Sequence, residues 1–244
     1  MSNQVHSMQQ GKGGVGKSFS MTLLAQYLVR TGEDLFCADT DPVNATLSQY
    51  SALDVSHINI TQHGQVLQRN FDPLMEAILA TEANVVIDNG AATFLPLVKY
   101  MEDNEIYRIM SEAGKRVYVH TILTGGQAKS DTFNGFAELV KRVDGNARIV
   151  VWENEFWGPV EFDGHSIVDS KLYQDAFRAG KIAGIVKIAD HSHSDANIAD
   201  IKQMTEAHLT LDEVMSSPDF SFLKKNRLRK IVHGIFDELD RIDW

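Results

Sequence analysis

Eight residues near the start of the chain, Gly11-Lys12-Gly13-Gly14-Val15-Gly16-Lys17-Ser18, leave little freedom for the local structure. They match G-x-x-x-x-G-K-[ST] in full, and a second lysine follows the first glycine. Glycines let the backbone take tight, partly left-handed angles, so that successive N–H groups turn inward around an anion. In such a loop the lysine, here Lys17, reaches the outer phosphates of a nucleotide, and the hydroxyl of Ser18 can bind Mg²⁺. The loop has the flanks it needs. Gln4-Val5-His6-Ser7-Met8 reads as a short strand; Met21, Leu24, Ala25 and Leu28 recur at helical spacing until Gly32 ends the run. A helix starting at Lys17 would aim its positive end at the same anion.

The rest of the chain alternates apolar runs with helical stretches. Strands are expected at Val5 to Gln9, Leu35 to Asp39, Val85 to Asp88, Val117 to Leu123, Arg148 to Trp152 and Ile182 to Ile188, with Ile58-Asn59-Ile60 as a short further candidate. Helices are expected at Lys17 to Thr31, Pro73 to Ala80, Phe94 to Met101, Thr132 to Val143 and Leu228 to Leu239. Nearly continuous apolar strands that alternate with helices imply an α/β fold, with a mainly parallel twisted sheet covered by helices on both faces. No repeat, low-complexity segment or linker interrupts the 244 residues. We therefore expect one P-loop domain over 1–244, with a C-terminal helix at about 220–244 packed on it.

In a sheet of this kind the ligand lies beyond the carboxyl ends of the strands. Asp39 and Asp41 close the second strand, and Asp88 closes Val85-Val86-Ile87. Mg²⁺ takes an octahedron made mostly of waters and phosphate oxygens with a few protein ligands, so the expected set is Ser18 with Asp88 and Asp41 around it. Asp39 is read as a structural turn acid. Asn154 ends a strand and reads from its place as a loop-turn asparagine. Thr124-Gly125-Gly126-Gln127 is either a γ-phosphate sensor or a plain turn. His191 and His193 lack metal-ligand spacing and read as a solvated loop.

Lys12, together with Asp39-Thr40-Asp41-Pro42-Val43-Asn44-Ala45-Thr46, Val85 to Gly90, Thr124 to Gln127, Val151 to Asn154 and Trp157-Gly158-Pro159, carries a more specific likeness. In this order they resemble the TraL proteins of conjugative plasmids, within the ParA/MinD group of deviant Walker A ATPases. The resemblance implies an ATP- and Mg²⁺-dependent ATPase that dimerises around its nucleotide and serves plasmid transfer or stability with a protein partner. It also assigns roles. Lys12 reaches the partner protomer's phosphates in trans, Asp41 orients the attacking water, Asp88 holds a water on the metal, and Asn154 contacts the base as the alternative to its loop-turn reading. Two features depart from many ParA relatives. Asp41-Pro42-Val43-Asn44-Ala45 is one residue shorter, and Asn89-Gly90 replaces a proline pair. The TraL proteins share both.

Composition limits the alternatives. The net charge of −10 argues against a chain that coats DNA with its whole surface. A local basic run, Lys224-Lys225-Asn226-Arg227-Leu228-Arg229-Lys230, is either a docking patch for DNA or protein or a solvated helix start. Cys37 is the single cysteine, which fits a reducing cytoplasm. No apolar run is long enough to span a membrane, and the acids that end the last helix would be repelled by an anionic bilayer. A binding module with negligible hydrolysis, a small-molecule kinase and a partition motor remain as other uses of the same loop.

Overall fold

The computed structural model describes residues 3–62, 65–162 and 164–244. The expected sheet forms. Its strands are β1 (Gln4–Met8), β2 (Leu35–Asp39), β3 (Ser56–His57), β4 (Asn84–Asp88), β5 (Arg116–Thr124), β6 (Ala147–Asn154) and β7 (Ile182–Ile188). They lie in the order β7-β6-β5-β1-β4-β2-β3, and every pairing is parallel. From β1 the chain first lays β2 and then β3 on one side, and β4 afterwards fills the place left between β1 and β2. It then crosses to build β5, β6 and β7 on the other. The carboxyl end of β1 is therefore where the winding reverses, the position at which such sheets open a ligand crevice.

Strand periodicity sorts the side chains onto two faces. Val5, Val85, Ile87, Val117, Val119, Ile149 and Val151 pack into one core with α2 (Asp72–Ala80), α3 (Phe94–Asp103), α4 (Ile106–Glu112), α5 (Lys129–Arg142) and α6 (Lys171–Arg178). Met8, Val86, Tyr118, Val150 and Trp152 face the other way. They meet α1 (Lys17–Arg30), α7 (Asp195–Glu206), α8 (Leu211–Ser216) and α9 (Phe222–Leu239). β1 and β4 are buried along their whole length, as their unbroken apolar character requires.

Three expectations need correction. The short strand beside β2 is Ser56–His57, not Ile58 to Ile60; Ala38 and Asp39 pair with Ser56 and His57. The last helix starts at Phe222, where the Ser221 hydroxyl caps it, so the basic run lies inside the helix rather than ahead of it. Helices α4, α6, α7 and α8 were not expected. α8 has only six residues and is fixed by a capping box between Thr210 and Glu213. α7 buries only Asp200 and Met204, too sparse a stripe to show a helical period.

No helix of the described residues is long and apolar enough to cross a membrane.

Candidate functional site

The loop from Gln9 to Gly16 turns from β1 into α1 through two left-handed glycines, Gly14 at φ 73° and Gly16 at φ 99°. Side chains with a Cβ rarely adopt these angles, which accounts for glycine at both. Gly16 caps α1 without any side-chain hydrogen bond, and no acid stands in the first turn. The first N–H groups of α1 are thus left for an external acceptor. Gln10 holds the base of the loop. Its buried amide donates to the Ile122 carbonyl at 2.8 Å and to Thr121 Oγ1 at 3.3 Å, and it accepts from the Lys12 amide at 3.2 Å. Gly11 packs on the Phe94 ring, and Val15 is buried.

Lys17 is only 8% exposed, and its Nζ donates to the Lys12 carbonyl at 2.9 Å. Burial lowers its pKa, while Asp88 and Asp41 act in the opposite direction. Asp88 lies beneath it, 1% exposed, and neither carboxylate oxygen has a hydrogen-bond partner. Burial pushes the Asp88 pKa up to about 7. The Ser18 hydroxyl is near enough to pull it down although it is not in hydrogen-bonding geometry with the carboxylate, Lys17 also lowers it, and Asp39 and Asp41 add to the rise. Asp39 sits level with Asp88 in the sheet register, but its two oxygens accept from the amides of Asp41 (2.9 Å) and Ser48 (3.0 Å). It acts as the structural turn acid expected. Asp41 is half-buried, and its Oδ1 accepts from the amides of Val43 (2.9 Å) and Asn44 (3.3 Å). The structure thus brings Lys17, Ser18, Asp41 and Asp88 to one end of the sheet.

A cavity of about 230 Å³ adjoins the loop at Gly14–Gly16, walled by Phe19, Phe156, Trp157, Ile188, Ile201 and Ile231. No aspartate or glutamate is among the described residues that line it. Asn154 stands in its wall with its amide already engaged. Nδ2 donates to the Val15 carbonyl at 3.0 Å, and Oδ1 accepts from the Phe156 amide at 3.1 Å. The side chain thereby ties the end of β6 to the glycine loop. His191 lines the same cavity.

Lys12 points away from the cradle. Its Nζ meets Asp131, in the first turn of α5, at 2.7 Å, with side chains 42% and 56% exposed. Thr124 to Gln127 runs beside it. Gly126 is left-handed at φ 64°, and a Cβ on Gly125 would lie 2.5 Å from the Gly158 carbonyl oxygen. This turn is shaped by its contact with the Trp157-Gly158-Pro159 loop. Among the described residues no group of three or more His, Cys, Asp or Glu stands close enough to hold a metal by itself.

The residues 7–222 match a family model described as the CobQ/CobB/MinD/ParA nucleotide binding domain. This chain belongs to that family. Two Escherichia coli proteins named TraL are 38% and 36% identical to it over 238 and 237 residues, in each case 97% of both chains. The chain is accordingly a TraL-family member of the ParA/MinD nucleotide-binding group. The solved structure of the MinD cell division protein of Aquifex aeolicus superposes with a TM-score of 0.53 at 14% identity, covering 98% of this chain and 96% of that one, and supports the same fold.

The basic run of this TraL-family chain is largely engaged within the chain. Arg227 Nε donates to Asp200 at 2.6 Å, and Asp200 is only 2% exposed. Lys224 Nζ donates to Gln203 (2.6 Å), Lys225 Nζ to the Met215 carbonyl (2.8 Å), and Arg229 reaches Met215 Sδ (3.2 Å). These contacts fasten α9 to α7 and α8; Lys230 is exposed. Arg227→Ala should lower the midpoint of thermal unfolding by several degrees, because it strands a buried carboxylate. An unchanged midpoint would return Arg227 to the docking-patch reading.

Three features of the site were not foreseen from the sequence: the Gln10 anchor, the Lys12–Asp131 pair and the Phe156–Trp157 wall. Only Trp157 carried a signal, through the Trp157-Gly158-Pro159 string.

Proposed function

We propose that this chain is a Mg²⁺-dependent ATPase of the cytoplasm, one domain over 1–244, that dimerises around ATP. It would act as a nucleotide switch with a protein partner in plasmid conjugative transfer or plasmid stability. The observation that carries this reading is the orphaned Asp88 carboxylate under Ser18 and Lys17. A buried acid with two unused oxygens beside a phosphate cradle suits a hydrated Mg²⁺, which takes few protein ligands. Ser18 would hold the ion directly, with Asp88 and Asp41 around it, and the ion would neutralise phosphate charge. Lys17 binds the outer phosphates, and Asp41 orients the attacking water. Phosphoryl transfer asks for little more than such positioning and charge. The base enters the cavity against Phe156 and Trp157. Adenine suits walls without a carboxylate, since guanine is commonly read by an acid that accepts from its ring N–H and amino group.

Lys12 would act in trans on the partner's nucleotide. The Asp131 pair does not prevent this, because an exposed ion pair is worth only about 0–1 kcal/mol. Sedimentation with ADP, ATP and a slowly hydrolysed analogue tests the proposal. ATP should favour the dimer over ADP, and Lys12→Ala should bind nucleotide yet stay monomeric and inactive. A Lys12→Ala protein that dimerises and turns over as wild type would favour a kinase-like monomer. A second reading, a nucleotide-gated binding module with negligible hydrolysis, draws on Asp41 Oδ1 being held by its own loop. Phosphate release by the wild type separates the two.

A further inference from the structure

Gly90 has no conformational reason to be glycine. Its φ of −65° and ψ of 157° are open to any residue. The reason is space. A Cβ built there would lie 2.6 Å from Asp41 Cγ, 2.7 Å from Oδ1 and 3.0 Å from Oδ2, closer than carbon approaches such atoms. The Asp41 carboxylate occupies the place where a side chain at position 90 would begin.

The backbone around Asp41 is pinned independently. The Thr40 amide donates to the Asp88 carbonyl at 2.9 Å, the Thr40 hydroxyl to Asn89 Oδ1 at 2.6 Å, and the Asp41 amide to Asp39 Oδ1 at 2.9 Å. Asn89 is itself anchored, its Nδ2 donating to the Met8 carbonyl at 2.8 Å and to Ser7 Oγ at 3.0 Å. The Gly90 carbonyl accepts from the Thr93 amide and hydroxyl. These hydrogen bonds hold both backbones, whereas the Asp41 side chain can rotate. Any Cβ at position 90 is therefore relieved by expelling the carboxylate, and the Asp41 hydrogen bonds to the Val43 and Asn44 amides go with it.

We infer that Gly90 is a positioning residue for Asp41. The Asp41-to-Ala45 loop and the Asn89-Gly90 pair act together: the loop delivers the acid, and the absent side chain at position 90 receives it beside Asp88. The inference rests on the hydrolytic reading above, in which Asp41 orients water, but the placement of Asp41 can be read without any turnover.

The test compares wild type, Gly90→Ala, Asp41→Ala and the double variant as full chains. All three variants should still bind ATP, because Gly11 to Ser18 are unchanged, and turnover is compared at saturating ATP for each. Turnover of each single variant should fall on the order of 100-fold, since a shift of about an ångström in a positioned group can have that effect. The double variant should be no slower than Asp41→Ala alone. Double-variant losses that multiply, or wild-type turnover in Gly90→Ala, would overturn the inference. A crystal structure of Gly90→Ala gives the readout that turnover does not control. The carboxylate should have left Gly90, with residues 40 and 90 of the backbone in place. A carboxylate that stays while the backbone shifts would overturn the inference even if the wild type hydrolyses ATP. A displaced carboxylate in a protein whose wild type does not hydrolyse would uphold the positioning and sink the hydrolytic reading instead.

Discussion

Lys17→Ala is expected to weaken ATP binding by about 2–5 kcal/mol, since it removes charge-assisted contacts to buried phosphates. In affinity this is roughly 30-fold to several-thousand-fold. The surroundings of Lys17 put the effect toward the upper end. The ammonium sits over Asp88 and near Asp41, and Asp39 lies level with Asp88. Without it, the outer phosphates would approach these acids with one fewer positive charge between them. The same change should leave the nucleotide-free protein at least as stable as wild type. Burial depresses the Lys17 pKa, so the folded state carries this charge at a desolvation cost. Its hydrogen bond to the Lys12 carbonyl and its attraction to Asp88 and Asp41 offset only part of that, since the net shift of its pKa is still downward. Calorimetric titration with ATP and urea unfolding of the free protein measure the two halves separately. Unchanged affinity would refute the phosphate role. Lost affinity with lost stability would make Lys17 a structural residue.

How much of this was open to a reader of the sequence depends on how local each feature is. Gly14, Gly16 and Lys17 act within one turn, so strand, loop and helix were legible from Gln4 to Arg30. Asp39 and Asp88 were legible because each ends an apolar run whose period marks a buried strand. Of the cavity beside the glycine loop only Asn154 was legible. Ile188, Ile201 and Ile231 come from three elements and converge only when β7, α7 and α9 pack. The basic run misled for the same reason. Arg227 reads as surface charge because its partner, Asp200, is 27 positions earlier, on a helix with almost no apolar stripe. Gly90 was visible as a departure from a pattern, but its meaning depends on where Asp41 comes to rest.

The other large effect should appear on acidification, far from the glycine loop. His6 and His120 are fully buried on the face of the sheet that meets α9, with Tyr118 stacked on His6 and Trp244 edge-on to His6 and tilted against His120. Their hydrogen bonds run in one direction. Trp152 Nε1 donates to His120 Nδ1 at 2.9 Å. His120 Nε2 then carries the proton toward His6 Nδ1 at 3.0 Å, and His6 Nε2 donates to Gln4 Oε1 at 3.1 Å. Both rings are therefore neutral, and a further proton would land on a nitrogen that already accepts. Burial, with Arg116 adding to it, holds the His6 pKa at about 3; burial, with His6, holds His120 well below the ordinary range. The unfolded chain takes up these protons near pH 6.5, so below that value it binds more protons than the fold, and stability falls with pH by about 1.4 kcal/mol per unit for each ring. The loss sets in as pH drops through about 6.5 and continues toward about 3. Asp88 acts the other way. Its folded pKa of about 7 exceeds the unfolded value near 3.9, so between these it stabilises the fold as pH falls, again by about 1.4 kcal/mol per unit. Glu153, whose pKa burial also raises, acts in the same sense as Asp88, so the wild-type loss is shallower than the two rings alone would give, and Asp88→Asn should steepen it by about 1.4 kcal/mol per unit between about pH 6.5 and 4. Urea unfolding across that range measures both slopes. A flat profile in Asp88→Asn would mean that the folded histidines accept protons, and that the chain from Trp152 to Gln4 does not run in the direction the geometry assigns.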